Sequence, residues 1–104
     1  MEEIVMLNVT KTIENNMAKL ALEGRLDTVT APELESVIKE ILPGLTELIF
    51  DFENLEYISS AGLRVLLSAQ KTMNGQGSMK IRNVGETIME VFEVTGFSDI
   101  LTIE

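Results

Sequence analysis

Two adjacent serines, Ser59 and Ser60, followed by Ala61 and Gly62, are the residues of this chain whose type and spacing best suit chemistry. They stand where a hydrophobic run ends and a helical pattern begins, so the turn should lie at a helix N-terminus, with free backbone N–H groups and a positive dipole end. A hydroxyl in that place has two uses. It can cap the helix by accepting from a backbone N–H, or it can carry a phosphate, whose charge the same helix end favours. Local residue grammar leaves both open. Ala61 and Gly62 imply a flat, accessible approach to the Ser60 hydroxyl. Asp27 and Asp51 are expected near the same sheet edge, where each could orient that hydroxyl or touch a partner. Asp27 reads otherwise as the start of a turn or a cap, and Asp51 as a solvated strand-end charge. Arg64, in the first turn of the helix, reads either as a partner contact or as a solvated helix charge.

Much other chemistry is excluded by composition. The chain has 104 residues with no histidine and no cysteine, so Ser-His and Cys-His nucleophiles, thiolate ligands, disulfides and redox roles drop out. A hydrolase would also lack a base beside either serine. With 17 acidic against 8 basic residues the net charge is −9, which repels nucleic-acid phosphates and anionic lipid alike. The expected partner is a protein with a basic face, not nucleic acid and not a membrane. No apolar run approaches the roughly 20 residues of a membrane-spanning helix, and Met1-Glu2-Glu3 lacks the basic lead of a signal peptide. A cytoplasmic location is the expectation. Methionines at core-compatible positions, such as Met17, Met79 and Met89, read as packing.

The elements that must position the serine turn follow from periodicity. Ile4 to Ile13 alternates through Val5, Leu7 and Val9, as a strand does; Glu14-Asn15-Asn16 is a turn; Met17 to Glu23 alternates again until Gly24 breaks it, giving a hairpin. Ala31 to Leu42 carries Leu34, Val37, Ile38 and Ile41 at helical spacing, with Thr30 as N-cap, Pro32 in the first turn and Pro43-Gly44 as the stop. Leu45 to Phe52 is nearly continuous in apolar residues, the signature of a central strand covered on both faces. A helix runs from Ser60 to Met73 before Asn74-Gly75-Gln76-Gly77, a short strand covers Met79 to Ile81, a helix spans Glu86 to Thr95 up to Gly96, and Ile100 to Ile103 forms a last strand. The order ββαβαβαβ predicts one α/β domain over residues 1–104, a mixed and mostly parallel sheet with an N-terminal antiparallel hairpin and helices packed on it. Three loops should then meet at one edge: Leu26 to Thr30, Glu56 to Gly62, and Asn83 to Glu86.

The run from Asp51 through Tyr57-Ile58-Ser59-Ser60-Ala61-Gly62-Leu63 to Leu66 resembles the STAS domain of bacterial anti-sigma factor antagonists. That family's fingerprint is a hydrophobic strand, an Asp/Ser-Ser-Ser/Ala-Gly-Leu turn and a helix. Gly24-Arg25-Leu26-Asp27 is similar to its Gly-x-x-Asp element, and Val94-Thr95-Gly96-Phe97 to the Gly-Leu/Phe element before the last strand. Ser59 stands where some members have Asp, and Ala61 replaces a common second Ser. The resemblance implies an anti-sigma factor antagonist, not an enzyme. It also implies phosphorylation at Ser60 by a partner that is both anti-sigma factor and serine kinase, and resetting by a serine phosphatase. The implied partner-binding residues are Asp27, Thr28, Ser59, Ser60, Ala61, Gly62, Leu63 and Arg64. ATP and magnesium would belong to the kinase, so no cofactor and no metal are implied for this chain.

Two other classes compete. A constitutive binding module of the same fold could serve a transport or signalling complex without phosphorylation. A receiver domain accepting phosphate on Asp51 would need an acidic pair after the first strand and a late lysine; there is no such pair, and Lys80 is the last lysine.

Overall fold

The computed structural model describes residues 7–104. The expected start of the first strand at Ile4, and the Met1-Glu2-Glu3 reading, lie outside the described residues. Alternation builds an antiparallel hairpin of β1 (Leu7–Glu14) and β2 (Met17–Leu26), turned at Asn15, whose φ of 56° is left-handed. There follow α1 (Ala31–Ile41), β3 (Glu47–Ile58), α2 (Ser60–Asn74), β4 (Ser78–Arg82) and α3 (Glu86–Thr95), then a single 3-10 turn over Phe97–Asp99. The sheet order is β1-β2-β3-β4, with β3 parallel to both β2 and β4. The mixed, mostly parallel α/β architecture is the expected one. Its last strand shrinks to a single parallel bridge, Ile103 beside Ile81, because the 3-10 turn takes up the preceding chain. Among the described residues no helix is long and apolar enough to cross a membrane.

One cluster gathers the buried side chains of all three helices with one face of the sheet, including Leu20, Leu48, Phe50, Phe52, Met79 and Ile81. Phe50, Phe52 and Phe92 form its aromatic centre, with centroids 6.0 and 6.4 Å apart. Each such side chain contributes about 1.5–3 kcal/mol by leaving water. The other face of the sheet carries Lys19, Asp51, Lys80 and Arg82, joined by ion pairs: Lys19 to the half-buried Asp51 at 3.9 Å, and Lys80 and Arg82 to Glu104 at 3.5 and 3.2 Å. The expectation that β3 is covered on both faces is therefore corrected. Ile49 is buried on the open face without any helix above it, flanked in register by Lys19 and Lys80.

β3 is longer than its apolar run suggests. Ala21 pairs with Asp51 but Glu23 with Asn54, and Gly24 pairs with Leu55 but Arg25 with Tyr57, so β3 twice supplies one residue more than β2. Such bulges break period-2 alternation. They put Phe52, Leu55 and Ile58 in the core at every third residue, which is why the strand pattern fades after Phe52. Gly24, with φ of 107°, lies at the second shift; the strand passes through it instead of stopping there.

This geometry changes which loops meet. β2 and β3 end side by side, Leu26 against Ile58, whereas β4 meets β3 over Glu47 to Asp51 and ends at Arg82 beside Asp51. At ~3.3 Å per residue, less what the bulges absorb, the loop at Asn83 opens roughly 15–20 Å short of Ile58. Two loops gather at the serine turn, not three.

Candidate functional site

The serine turn is pinned to its neighbour strand before the helix starts. The Ser59 N–H donates to the Leu26 carbonyl at 2.9 Å, and the Ser59 carbonyl accepts from Leu63 N–H at 2.9 Å. Ser59 itself is extended (φ −100°, ψ 174°), and its Oγ accepts from Gly62 N–H at 3.3 Å. The capping task thus falls to Ser59. Ser60, the first residue of α2, is exposed, and its hydroxyl has no hydrogen-bond partner among the described residues.

Gly62 and Leu63 are buried. A Cβ added at Gly62 would lie 2.7 Å from Leu26 Cγ and 3.0 Å from both Leu26 Cδ2 and Ile58 Cγ1. The glycine is what lets the first turn of α2 rest directly on the ends of β2 and β3. These two residues position the turn and offer no surface, so the flat approach to Ser60 comes from Ala61 alone. Thr28, Ala61 and Arg64, by contrast, line one shallow groove of about 310 Å³ between the starts of α1 and α2, with Ala31, Pro32, Glu35 and Val65.

Asp27 is engaged within its own turn. Its Oδ1 accepts from Val29 N–H and Thr30 N–H, both at 3.0 Å, while Thr30 Oγ1 accepts from Asp27 N–H at 2.9 Å and donates to the Arg25 carbonyl at 2.7 Å. Thr30 occupies the N-cap position of α1 but makes no side-chain cap, which corrects its expected role; the first donors of the helix go to backbone carbonyls, Ala31 N–H to Asp27 at 2.9 Å and Glu33 and Leu34 N–H to Thr30 at 3.0 and 3.2 Å. The Thr30 N–H holds the Asp27 carboxyl below its ordinary range against partial desolvation, helped by Val29 N–H, the Thr30 hydroxyl and Arg25. No hydrogen bond among the described residues joins Asp27 to Ser60.

Asp51 is not at this edge. It sits mid-strand on the open face, where it accepts from Asn83 Nδ2 and Glu53 N–H at 3.0 Å each and faces Lys19. The Asn83 amide, first, and the Glu53 N–H hold its carboxyl low despite some burial, with Lys19 and Arg82 adding attraction. Its expected place beside Ser60 is corrected: β3 runs seven residues onward from Asp51 to Ile58.

Two residues at the edge escaped sequence reasoning. Arg25 lies over the Tyr57 ring at 4.1 Å, a cation–π pair, and its Nε is 4.0 Å from Asp27 Oδ2. Tyr57 is 40% exposed and Val29, on the adjoining loop, 79%. Pairing of Arg25 with Tyr57 depends on both bulges, and no local pattern announces it.

With this geometry in place, similarity to known proteins is informative. The family model described as STAS domain matches residues 8–104. A Staphylococcus aureus protein named anti-sigma-B factor antagonist is 29% identical over 99 residues, covering 93% of this chain and 92% of its own. An anti-sigma factor antagonist from Mycobacterium paratuberculosis superposes with a TM-score of 0.84 at 19% identity, over 93% of this chain and 84% of that one. The Bacillus cell fate determinant SpoIIAA in its phosphorylated form superposes with a TM-score of 0.74, also at 19% identity, over 93% and 91% of the two chains.

Proposed function

The chain belongs to the STAS domain family, and from that membership we propose that it is an anti-sigma factor antagonist switched by phosphorylation of Ser60. The unmodified domain docks on an anti-sigma factor and so frees a sigma factor. The anti-sigma factor is also a serine kinase, and modification of Ser60 ends the complex. The name of the Staphylococcus aureus relative supports the partner class, since the similarity runs through nearly the whole of both chains.

The observation that carries the reading is the division of labour between the serines. Ser59 Oγ caps α2, so Ser60 is left exposed with its hydroxyl uncommitted. In the transfer the Ser60 oxygen bonds to the γ-phosphorus of the kinase's nucleoside triphosphate, the bond to the departing diphosphate breaks, and the hydroxyl proton passes to a base on the kinase. A phosphatase resets the chain: water attacks phosphorus, the bond to Oγ breaks, and inorganic phosphate leaves. This domain supplies the acceptor and the docking surface, and the kinase supplies the catalytic groups. A phosphoserine adds roughly −1.5 to −2 charges to a face that the partner must desolvate. Stripping water from that charge at the contact is costly unless the partner pairs it, and this cost weakens the complex.

Incubation with ATP and a candidate serine kinase, followed by mass spectrometric mapping, should place phosphate on Ser60. Phosphate on an aspartate, or none on Ser60, overturns the reading. In binding assays Ser60→Asp should lose at least about tenfold in affinity, or ~1.4 kcal/mol, while Ser60→Ala keeps it. A chain that binds an anti-sigma factor equally well in both variants is instead a constitutive module.

A further inference from the structure

We propose that Arg64 is the phosphate-receiving side chain of this switch: once Ser60 is modified, the Arg64 guanidinium swings back over the first turn of α2 and binds the phosphate. The inference rests on the reading of Ser60 as acceptor and adds to it a second residue with a defined role.

Ser60 and Arg64 are one helical turn apart, at i and i+4 of α2. That spacing puts their Cβ atoms about 5–6 Å apart and about 40° apart round the axis. Helical side chains lean toward the N-terminus, so a long side chain at Arg64 reaches back in the direction of Ser60. The order is the favourable one, anion before cation. Both residues are exposed, and Arg64 has no carboxylate within ion-pair distance among the described residues. Glu35, the acidic residue in the groove it lines, lies 3.8 Å from Lys39. The first turn of α2 holds no acidic residue to compete. A guanidinium can donate two parallel N–H groups to phosphate oxygens, and an ammonium cannot reproduce that fork. Modification then changes the docking face twice: it adds a charge at Ser60 and withdraws Arg64 from the groove shared with Thr28 and Ala61.

The test uses the full chain with phosphoserine installed at position 60 during synthesis, so it needs no kinase and stays readable even if the kinase assay fails. The second ionisation of the phosphate is followed by phosphorus NMR, with helicity checked by circular dichroism. Arg64→Ala should raise the midpoint by a few tenths of a pH unit at low salt, the scale of an exposed ion pair, and Arg64→Lys by less. The Arg64 Nε–H resonance of the parent should move with the same midpoint. The helix end acts on all three chains alike, so the difference isolates the side chain. A rise of 0.2 or more with the co-titrating resonance supports the proposal; a smaller rise, or an Nε–H that does not follow the phosphate, overturns it.

Discussion

Replacing Gly62 by alanine tests the contact that holds the serine turn in place. The backbone at Gly62 is helical, so alanine is conformationally at ease there, and on helix propensity alone the change should stabilise by about 1 kcal/mol. Packing opposes this. The new methyl would sit 2.7 Å from Leu26 Cγ, a branch point and not a movable chain end, with Leu26 fully buried and Ile58 at 3.0 Å on the other side. Overpacking of this kind costs about 1–3 kcal/mol. Three close contacts on two buried side chains place it in the upper part of that range, leaving a net loss of ~1–2 kcal/mol. For a domain of this size the urea midpoint should fall by roughly 1 M, and the melting temperature by roughly 4–15 °C. Gly75→Ala is the control: it lies at the other end of α2, with φ of −86° and Thr72 O at an ordinary 3.5 Å, and should barely move the midpoint. A midpoint that rises with Gly62→Ala would refute the close packing of α2 on β2 and β3, and with it the account of how the turn is pinned.

The two serines should separate in stability as they do in structure. Ser59→Ala removes the cap on Gly62 N–H and should cost about 1 kcal/mol in denaturant unfolding, while Ser60→Ala stays within ~0.5 kcal/mol; equal costs would contradict the assigned cap. The carboxylates predict the acid limb of stability. Asp27 and Asp51 both ionise below the ordinary value of 3.8 in the folded chain, so their contribution is complete above that value and is lost as pH falls through the folded midpoints. Unfolding midpoints measured from pH 7 down to pH 2 should show a shallower acid limb in Asp27→Asn and in Asp51→Asn; an unchanged slope in both would count against the hydrogen bonds assigned to them.

The hairpin was legible because its alternation is local, and α1, α2 and α3 because their apolar spacing and their stops at Pro43, Gly75 and Gly96 are local too. The reading failed where two distant segments must agree. Strand β3 looked finished at Phe52 because its bulges exist only in relation to β2. Asp51 is expected at the strand's end for the same reason, whereas β3 runs on from it to Ile58. Thr30 resembled a cap, yet its hydroxyl turns back to the Asp27 N–H and the Arg25 carbonyl, residues that precede the helix.

By itself the sequence determined the α/β class, the order of elements, the absence of histidine and cysteine chemistry, the acidic charge and a serine pair at a helix start. These follow from residue type and short-range spacing, which act over one turn of helix or a few residues of strand. Tertiary structure decided which serine caps α2 and which is left free, that Gly62 is a packing contact and not an approach path, and that Thr28, Ala61 and Arg64 share one groove. Those outcomes depend on strand register and on how closely a helix rests on two strand ends. Both are set by contacts between residues some 35 positions apart in the chain, as Leu26 and Gly62 are, and such contacts leave no periodic trace in either segment.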